Sequence, residues 1–150
     1  MLGPVRGASV RVVVDTSIWS LAIRRRPGAL SPRERALVLH WAELVRDGRV
    51  ALVGAVRQEV LTGVRRDEQF ERLRDYLRGF DDEHLAPDDS EQAARFHNVC
   101  STAGVAGSAT DFLVCAVASG RGLPVFTTDP DFKRYAQHLP VRLHVPPTKP

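Results

Sequence analysis

Three consecutive β-branched residues, Val12-Val13-Val14, run straight into a carboxylate, Asp15, which is followed at once by the hydroxyls of Thr16 and Ser17. An uninterrupted apolar run of this kind is the pattern of a strand buried on both faces, the situation of parallel sheets covered by helices. In such sheets ligands sit in the crevice beyond the carboxyl ends of the strands. Asp15 falls at that crevice. A carboxylate directly after a fully apolar strand is costly to leave without partners, so one short stretch constrains both the fold class and the place to look for chemistry.

The rest of the chain repeats the alternation. With 150 residues it has the length of one domain with a substantial core. Residues 18–23 begin a helix or tight turn and lead into a basic loop, Arg24-Arg25-Arg26-Pro27-Gly28. Ser31, Pro32 and Glu34 form a helix start with a capping box. Leu37, Val38, Trp41, Leu44 and Val45 then recur at helical spacing. Residues 50–53 read as a second buried strand, 54–63 and 68–80 as helices, and 81–89 as an acidic irregular stretch with a short strand near His84 and Leu85. Ser90 is expected to cap the next helix, and Ser108 with Asp111 the one after it, which is apolar nearly all round and so central. Residues 124–127 read as a strand, a helix follows from Phe132 to about Leu139, and 141–145 form a last strand before a proline-rich tail. Short apolar strands alternating with helices predict an α/β architecture with a mostly parallel sheet. The expected organisation is a flexible leader over residues 1–10, one domain over 11–146 and a tail over 147–150.

Composition narrows the field where it departs from the ordinary. The two cysteines, Cys100 and Cys115, lie in apolar helical contexts without metal-binding spacing, so the expectation is two buried, reduced thiols in a cytoplasmic protein. No apolar run reaches transmembrane length, and no signal-peptide profile opens the chain. The net charge is +3, and of the 21 cationic residues only Lys133 and Lys149 are lysine. Arginine suits planar phosphate contacts. A general preference for arginine codons explains the same bias, so charge alone decides nothing.

The chemistry sits at strand ends. The strand at 125–127 also stops at an acid, Asp129, in the same position relative to its apolar run as Asp15. Two parallel strands of one sheet bring these acids to one edge. Asp111, in the first turn of the preceding helix, can point into the same crevice, and Glu59 reaches it if its helix starts there. Each acid also has an ordinary explanation. Asp111 suits a helix N-terminus, Asp131 an N-cap, Asp129 a turn before Pro130, and Glu59 a solvated helix face. Taken together, several carboxylates in one pocket repel by about 4 kcal/mol per pair at ~4 Å and an effective dielectric of ~20. Such a cluster persists with raised pKa values or around a cation. Oxygen ligands without histidine or cysteine suit Mg²⁺ or Mn²⁺, and the chemistry is phosphoester hydrolysis.

Four segments carry a resemblance: VVVDTSIW (12–19), QEVLTGV (58–64), ATDFLVCAVA (109–118) and VFTTDPDF (125–132). In order and approximate spacing the chain resembles a PIN domain, specifically the toxin of a VapBC toxin–antitoxin pair. The resemblance implies an α/β/α sandwich with a central parallel five-stranded sheet and a divalent-metal-dependent endoribonuclease. It places the family's acids on Asp15, Glu59, Asp111 and Asp129, with Asp131 at a more variable acidic position. Asp15 and Asp111 are then direct metal ligands, and Glu59 and Asp129 complete the shell or orient the attacking water. Thr16, Ser17 and Thr128 become supporting donors that fix the carboxylates.

An RNA substrate requires positive charge around the acids. Arg24, Arg25 and Arg26 after the first strand, and Arg65 and Arg66 after the Glu59 helix, are candidates for phosphate contacts, or else solvated loop charges. Trp19 and Trp41 are stacking platforms or, more simply, core. The resemblance further implies a homodimer and a cognate antitoxin lying in a groove between helices 31–46 and 54–80. Two other readings remain. One is a PIN-like RNA-binding module without activity, which would be favoured by missing acids, and none is missing. The other is an aspartyl-phosphate hydrolase or receiver-type domain, which needs a lysine near the phosphoryl group where Lys133 and Lys149 are poorly placed.

Overall fold

The computed structural model describes residues 10–148, so most of the expected leader and the end of the tail, with Lys149, lie outside the described residues. β1 (Val12–Val14) is the centre of a parallel three-stranded sheet in the order β2-β1-β3, with β2 at Val50–Ala51 and β3 at Val125–Phe126. Val12 pairs with Val50 and Val13 with Ala51 on one side. Val13 pairs with Val125 and Val14 with Phe126 on the other. All three valines of β1 are fully buried, as their uninterrupted run predicts.

The sheet is shorter than the expected five strands. Its outer neighbours pair at single positions, Leu52 with Asp82 at one edge and Val125 with Leu143 at the other. Glu83 N–H donates to Leu52 O at 2.8 Å, while His144 N–H donates to Val125 O at 2.7 Å. Neither segment can extend the ladder. Asp81, Asp82 and Glu83 put three consecutive charges on the first, and Pro140, Pro146 and Pro147 bracket the second with residues that lack an N–H. The strand expected near His84 and Leu85 is therefore a bridge at Asp82. From there the chain turns away, with His84 O held by Arg121 at 2.7 Å.

Helices cover both faces. The chain crosses from β1 to β2 and later returns past β1 to β3, and right-handed crossovers in opposite directions put their helices on opposite sides. α1 (Thr16–Trp19) continues through a wider turn at Ser20–Arg24 into α2 (Pro32–Arg46), which starts with the expected Ser31–Glu34 capping box. α3 (Gly54–Leu61) and α4 (Asp67–Leu77) follow β2. Trp19, Trp41, Tyr76 and Phe80 meet on the α2–α4 side, with Trp19 edge-on to Trp41 at 5.6 Å and to Phe80 at 5.1 Å. Trp19 is fully buried and its indole N–H donates to Val14 O at 3.2 Å, which makes it core rather than a stacking platform. α5 (Pro87–Thr102), α6 (Ala109–Gly120) and α7 (Asp131–Ala136) form the other side, where Phe112, Phe132 and Tyr135 pack together. α6 is apolar nearly all round and buries Phe112, Val114, Cys115, Ala116, Val117 and Ala118.

Two helix starts and one helix end differ from the sequence expectation for local reasons. α5 begins at Pro87, not after Ser90, because the Asp89 carboxylate accepts from Ala86 N–H at 2.9 Å and supplies the cap one turn earlier. α3 stops at Leu61, where the Thr62 hydroxyl bonds back to Gln58 O at 2.8 Å and Gly63 turns away with φ +84°. α7 begins at Asp131 itself, which is not its N-cap, and Asp131 pairs with Arg134 one turn on at 2.9 Å. Both cysteines are free and buried. Burial, followed by the nearby charges of Asp111, Cys100 and Asp15, pushes the Cys115 thiol up to about 12. Among the described residues no helix is long and apolar enough to cross a membrane.

One polar contact closes the sheet's second edge. His40 of α2 and His144 stack at 5.0 Å with Nε2 atoms 2.7 Å apart, so one ring donates and the other accepts. Burial, with the charges of His40 and Arg49, holds His144 down to about 4 from its ordinary 6.5. The unfolded imidazole therefore takes its proton near pH 6.5 while the folded one refuses it until about pH 4. This contribution to stability is whole above pH 6.5 and is lost as pH falls toward 4. Urea unfolding between pH 7 and 4 should show wild type losing stability more steeply than His144→Gln; equal slopes would contradict this account.

Candidate active site

Each acid is placed by the element that precedes it. β1 ends at Asp15, which is 4% exposed and caps α1 by accepting from Ser17 N–H at 3.3 Å. β3 ends at Phe126, from which the chain turns through Thr127, Thr128 and Asp129 into α7. α6 runs against the strands with its N-terminus at the same edge, where Ser108 Oγ accepts from Asp111 N–H at 3.1 Å. The reciprocal half of that expected capping box is replaced by another contact. Asp111 Oδ2 takes a hydrogen bond from the Tyr135 hydroxyl at 2.7 Å.

The ends of β1 and β3 are laced together by hydroxyls. Ser17 Oγ donates to Asp15 Oδ2 at 2.9 Å and Thr127 Oγ1 donates to the same oxygen at 2.8 Å. Each hydroxyl oxygen in turn accepts a backbone N–H, Ser17 Oγ from Thr128 at 3.0 Å and Thr127 Oγ1 from Asp129 at 3.0 Å. Asp129 Oδ1 accepts from Asp131 N–H at 2.9 Å, so Asp129 does the local capping that Asp131 suggests in the sequence. Asp131 itself pairs with Arg134. Of the supporting residues read from the sequence, Ser17 thus joins the network through its hydroxyl, and Thr128 and Asp131 join through their backbone N–H groups. Thr16 Oγ1 is buried and has no hydrogen-bond partner among the described residues. Thr127 and Tyr135 are missing from the sequence reading. Thr127 was legible as the hydroxyl just before the second acid's loop, but nothing local marks Tyr135.

Electrostatics tie the three acids into one group. The Asp111 carboxyl is raised above its ordinary value first by burial and then by the like charges of Asp15 and Asp129, against the Tyr135 hydrogen bond that lowers it. Tyr135 is itself pushed up, first by burial and then by its bond to Asp111. Glu59 is not among the charges acting on Asp111. It lies half-buried on α3, and its side chain makes no hydrogen bond or ion pair among the described residues. The structure therefore brings together Asp15, Asp111 and Asp129 and does not tie Glu59 to them.

No three histidine, cysteine, aspartate or glutamate side chains among the described residues stand close enough to close a coordination shell. The donor set nevertheless fits a hard cation. Mg²⁺ binds through one or two carboxylates and keeps several waters. Among the described residues nothing donates to Asp15 Oδ1 or Asp111 Oδ1, while the Oδ2 atoms are held internally.

Asp129 borders a cavity of about 640 Å³, lined also by Thr127, Thr128, Arg33, Glu34, Lys133 and His144, whereas Asp15 and Asp111 do not line it. Lys133, which looked misplaced in the sequence, shares this cavity with Asp129. Arg24, Arg25 and Arg26 are exposed at the end of the turn after α1, with Arg25 3.9 Å from Glu34. Arg65 and Arg66 are exposed before α4. None of these five reaches an acid of the site.

In fold the chain is similar to VapBC2 from Rickettsia felis bound to a DNA fragment from their promoter, at a TM-score of 0.71 and 17% identity over 90% of this chain and 98% of the other. It is similar to FitAcB from Neisseria gonorrhoeae at 0.66 and 21%, over 90% and 97%. VapBC-5 from Mycobacterium tuberculosis, a member of the VapBC family of toxin–antitoxin systems, matches at 0.62 and 21%, over 89% and 97%. No curated protein sequence matches the chain. The PIN domain family model matches residues 12–137. Running from the first residue of β1 to just past α7, that match makes this chain a member of the PIN domain family.

Proposed function

We propose that this protein is a divalent-metal-dependent endoribonuclease acting as the toxin of a toxin–antitoxin pair. The observation that carries the reading is the group of three acids at the carboxyl edge of the sheet, with Asp111 raised first by burial and then by the like charges of Asp15 and Asp129. Repelling carboxylates fixed by a hydroxyl ladder are a cost to the fold that a bound cation offsets. Membership of the PIN family and the likeness to VapBC structures support the same reading.

Asp15 and Asp111 would hold Mg²⁺ or Mn²⁺, with Asp129 and Glu59 completing the shell through water. Bound there, the ion supplies an activated water and charge stabilisation for in-line displacement at phosphorus. The chain's own residues do the rest. Ser17 and Thr127 keep Asp15 fixed, Tyr135 keeps Asp111 fixed, and Arg33 and Lys133 line a cavity beside Asp129 in which an RNA segment would lie. Arg24, Arg25, Arg26, Arg65 and Arg66 contribute outer phosphate contacts. The antitoxin lies along α2 and α4, near the exposed Leu39 and Tyr76, and the toxin is a homodimer in the cytoplasm.

Purified protein freed of antitoxin should cleave RNA with Mg²⁺ or Mn²⁺ and stop on addition of EDTA. Asp15→Asn and Asp111→Asn should each lower kcat by about 10²-fold or more, on the scale of losing one preorganised electrostatic group. Full cleavage in EDTA, or growth arrest by the asparagine variants as strong as by wild type, sinks the assignment. A second measurement needs no substrate. Because the folded Asp111 carboxyl is raised, its ionisation costs stability that appears as pH rises above the ordinary carboxylate range. Without divalent ions, Asp111→Asn should melt above wild type at pH 7, and the gap should close toward pH 4. A lower Tm for the variant at pH 7 would show that ionised Asp111 carries no net cost in the fold.

A further inference from the structure

Tyr135 is fully buried, yet its hydroxyl is not spent on the backbone or on solvent; it lies 2.7 Å from Asp111 Oδ2. Its ring packs against Phe112 at 5.1 Å and Phe132 at 5.2 Å, so aromatic contacts on two sides set where the hydroxyl falls. The loop before α6 has made room for it. A Cβ on Gly107 would stand 2.5 Å from the Tyr135 hydroxyl and 2.8 Å from the end of the Phe112 ring. The backbone φ of Gly107 is not positive, so glycine is required there by close approach and not by backbone conformation.

We infer that Tyr135 is the positioning residue of the acidic centre, turning Asp111 so that Oδ2 is held internally and Oδ1 remains for the cation, and that Gly107 admits its hydroxyl. This rests on the proposed reading in which Asp111 holds a divalent ion. The carboxylates of Asp15 and Asp111 are then fixed by the same device from opposite sides, Asp15 by hydroxyls of the strand ends and Asp111 by a hydroxyl from α7. Each gives one oxygen to the protein and keeps one free. Groups that orient a metal ligand in this way set affinity as well as rate.

The test is Mn²⁺ binding to the antitoxin-free protein, followed by electron paramagnetic resonance of free Mn²⁺, with thermal melting in EDTA alongside. Tyr135→Phe keeps the ring packing and removes only the donor. It should melt near wild type while its Mn²⁺ Kd rises about tenfold, the lower end for lost outer partners of metal ligands. The Mn²⁺ concentration for half-maximal cleavage should rise with it, and kcat at saturating Mn²⁺ should change far less. Gly107→Ala should weaken Mn²⁺ binding similarly, and the double variant should be no weaker than the weaker single, because both act through one hydroxyl. Unchanged Mn²⁺ affinity in Tyr135→Phe, with wild type binding normally, overturns the inference and leaves the metal reading standing. Multiplying losses in the double variant overturn the role of Gly107. A wild type that binds no Mn²⁺ overturns both the metal reading and this inference.

Discussion

A single carboxylate oxygen holds the architecture together at its working edge. Asp15 Oδ2 receives the hydroxyls of Ser17, from the first turn of α1, and of Thr127, just after β3. Those hydroxyls accept the backbone N–H groups of Thr128 and Asp129, so the loop after β3 is positioned from the strand beside it. β1 and β3 are paired in the sheet at only two positions, and this ladder continues their association past the point where the strands end. A charged acceptor makes such bonds roughly twice as strong as neutral ones. The same acid that caps α1 thus registers the two segments that carry the site, and structural and chemical duties fall on one side chain.

That double duty explains why part of the site was legible in the sequence. Asp15 was readable because three buried valines lead to it with no residue between, and Asp129 because a second apolar run leads to it through two threonines. Asp111 was readable as a helix-start acid, but its orientation was not, since the Tyr135 hydroxyl arrives from 24 residues away. Glu59 shows the reverse. Its motif matches the family, while on α3 its side chain makes no hydrogen bond or ion pair with the other three among the described residues. Lys133 and Arg33 went unseen for the same reason as Tyr135: periodicity reports which face of a helix is buried, not which cavity its exposed face borders.

The fold itself was legible to the extent that local pattern determines it. The buried strands, the capping box at Ser31 and Glu34, and the all-apolar α6 follow from spacing and composition. Helix starts depended on which of two neighbouring acids or hydroxyls wins the exposed N–H groups, a contest of small energies that Asp89 wins over Ser90 and Asp129 over Asp131. Strand count depended on edges, where a few residues decide whether a ladder continues. The α2–α4 aromatic cluster was visible only as helical stripes, and its convergence on Trp19 beneath β1 is a product of the crossovers.

The two single-residue bridges at the sheet margins bear on how this protein behaves in company. A regular outer strand would present a row of free donors and acceptors to any other chain. Here one margin is a run of three carboxylates and the other is bracketed by prolines. A second chain approaching the first margin meets side chains already engaged, Asp82 by Arg57 and Glu83 by Arg11 and Arg121, and at the second it meets missing donors. The molecule keeps a small, buried parallel sheet whose rims offer little free backbone to an added strand, leaving helix faces and side chains as the surfaces another chain would meet.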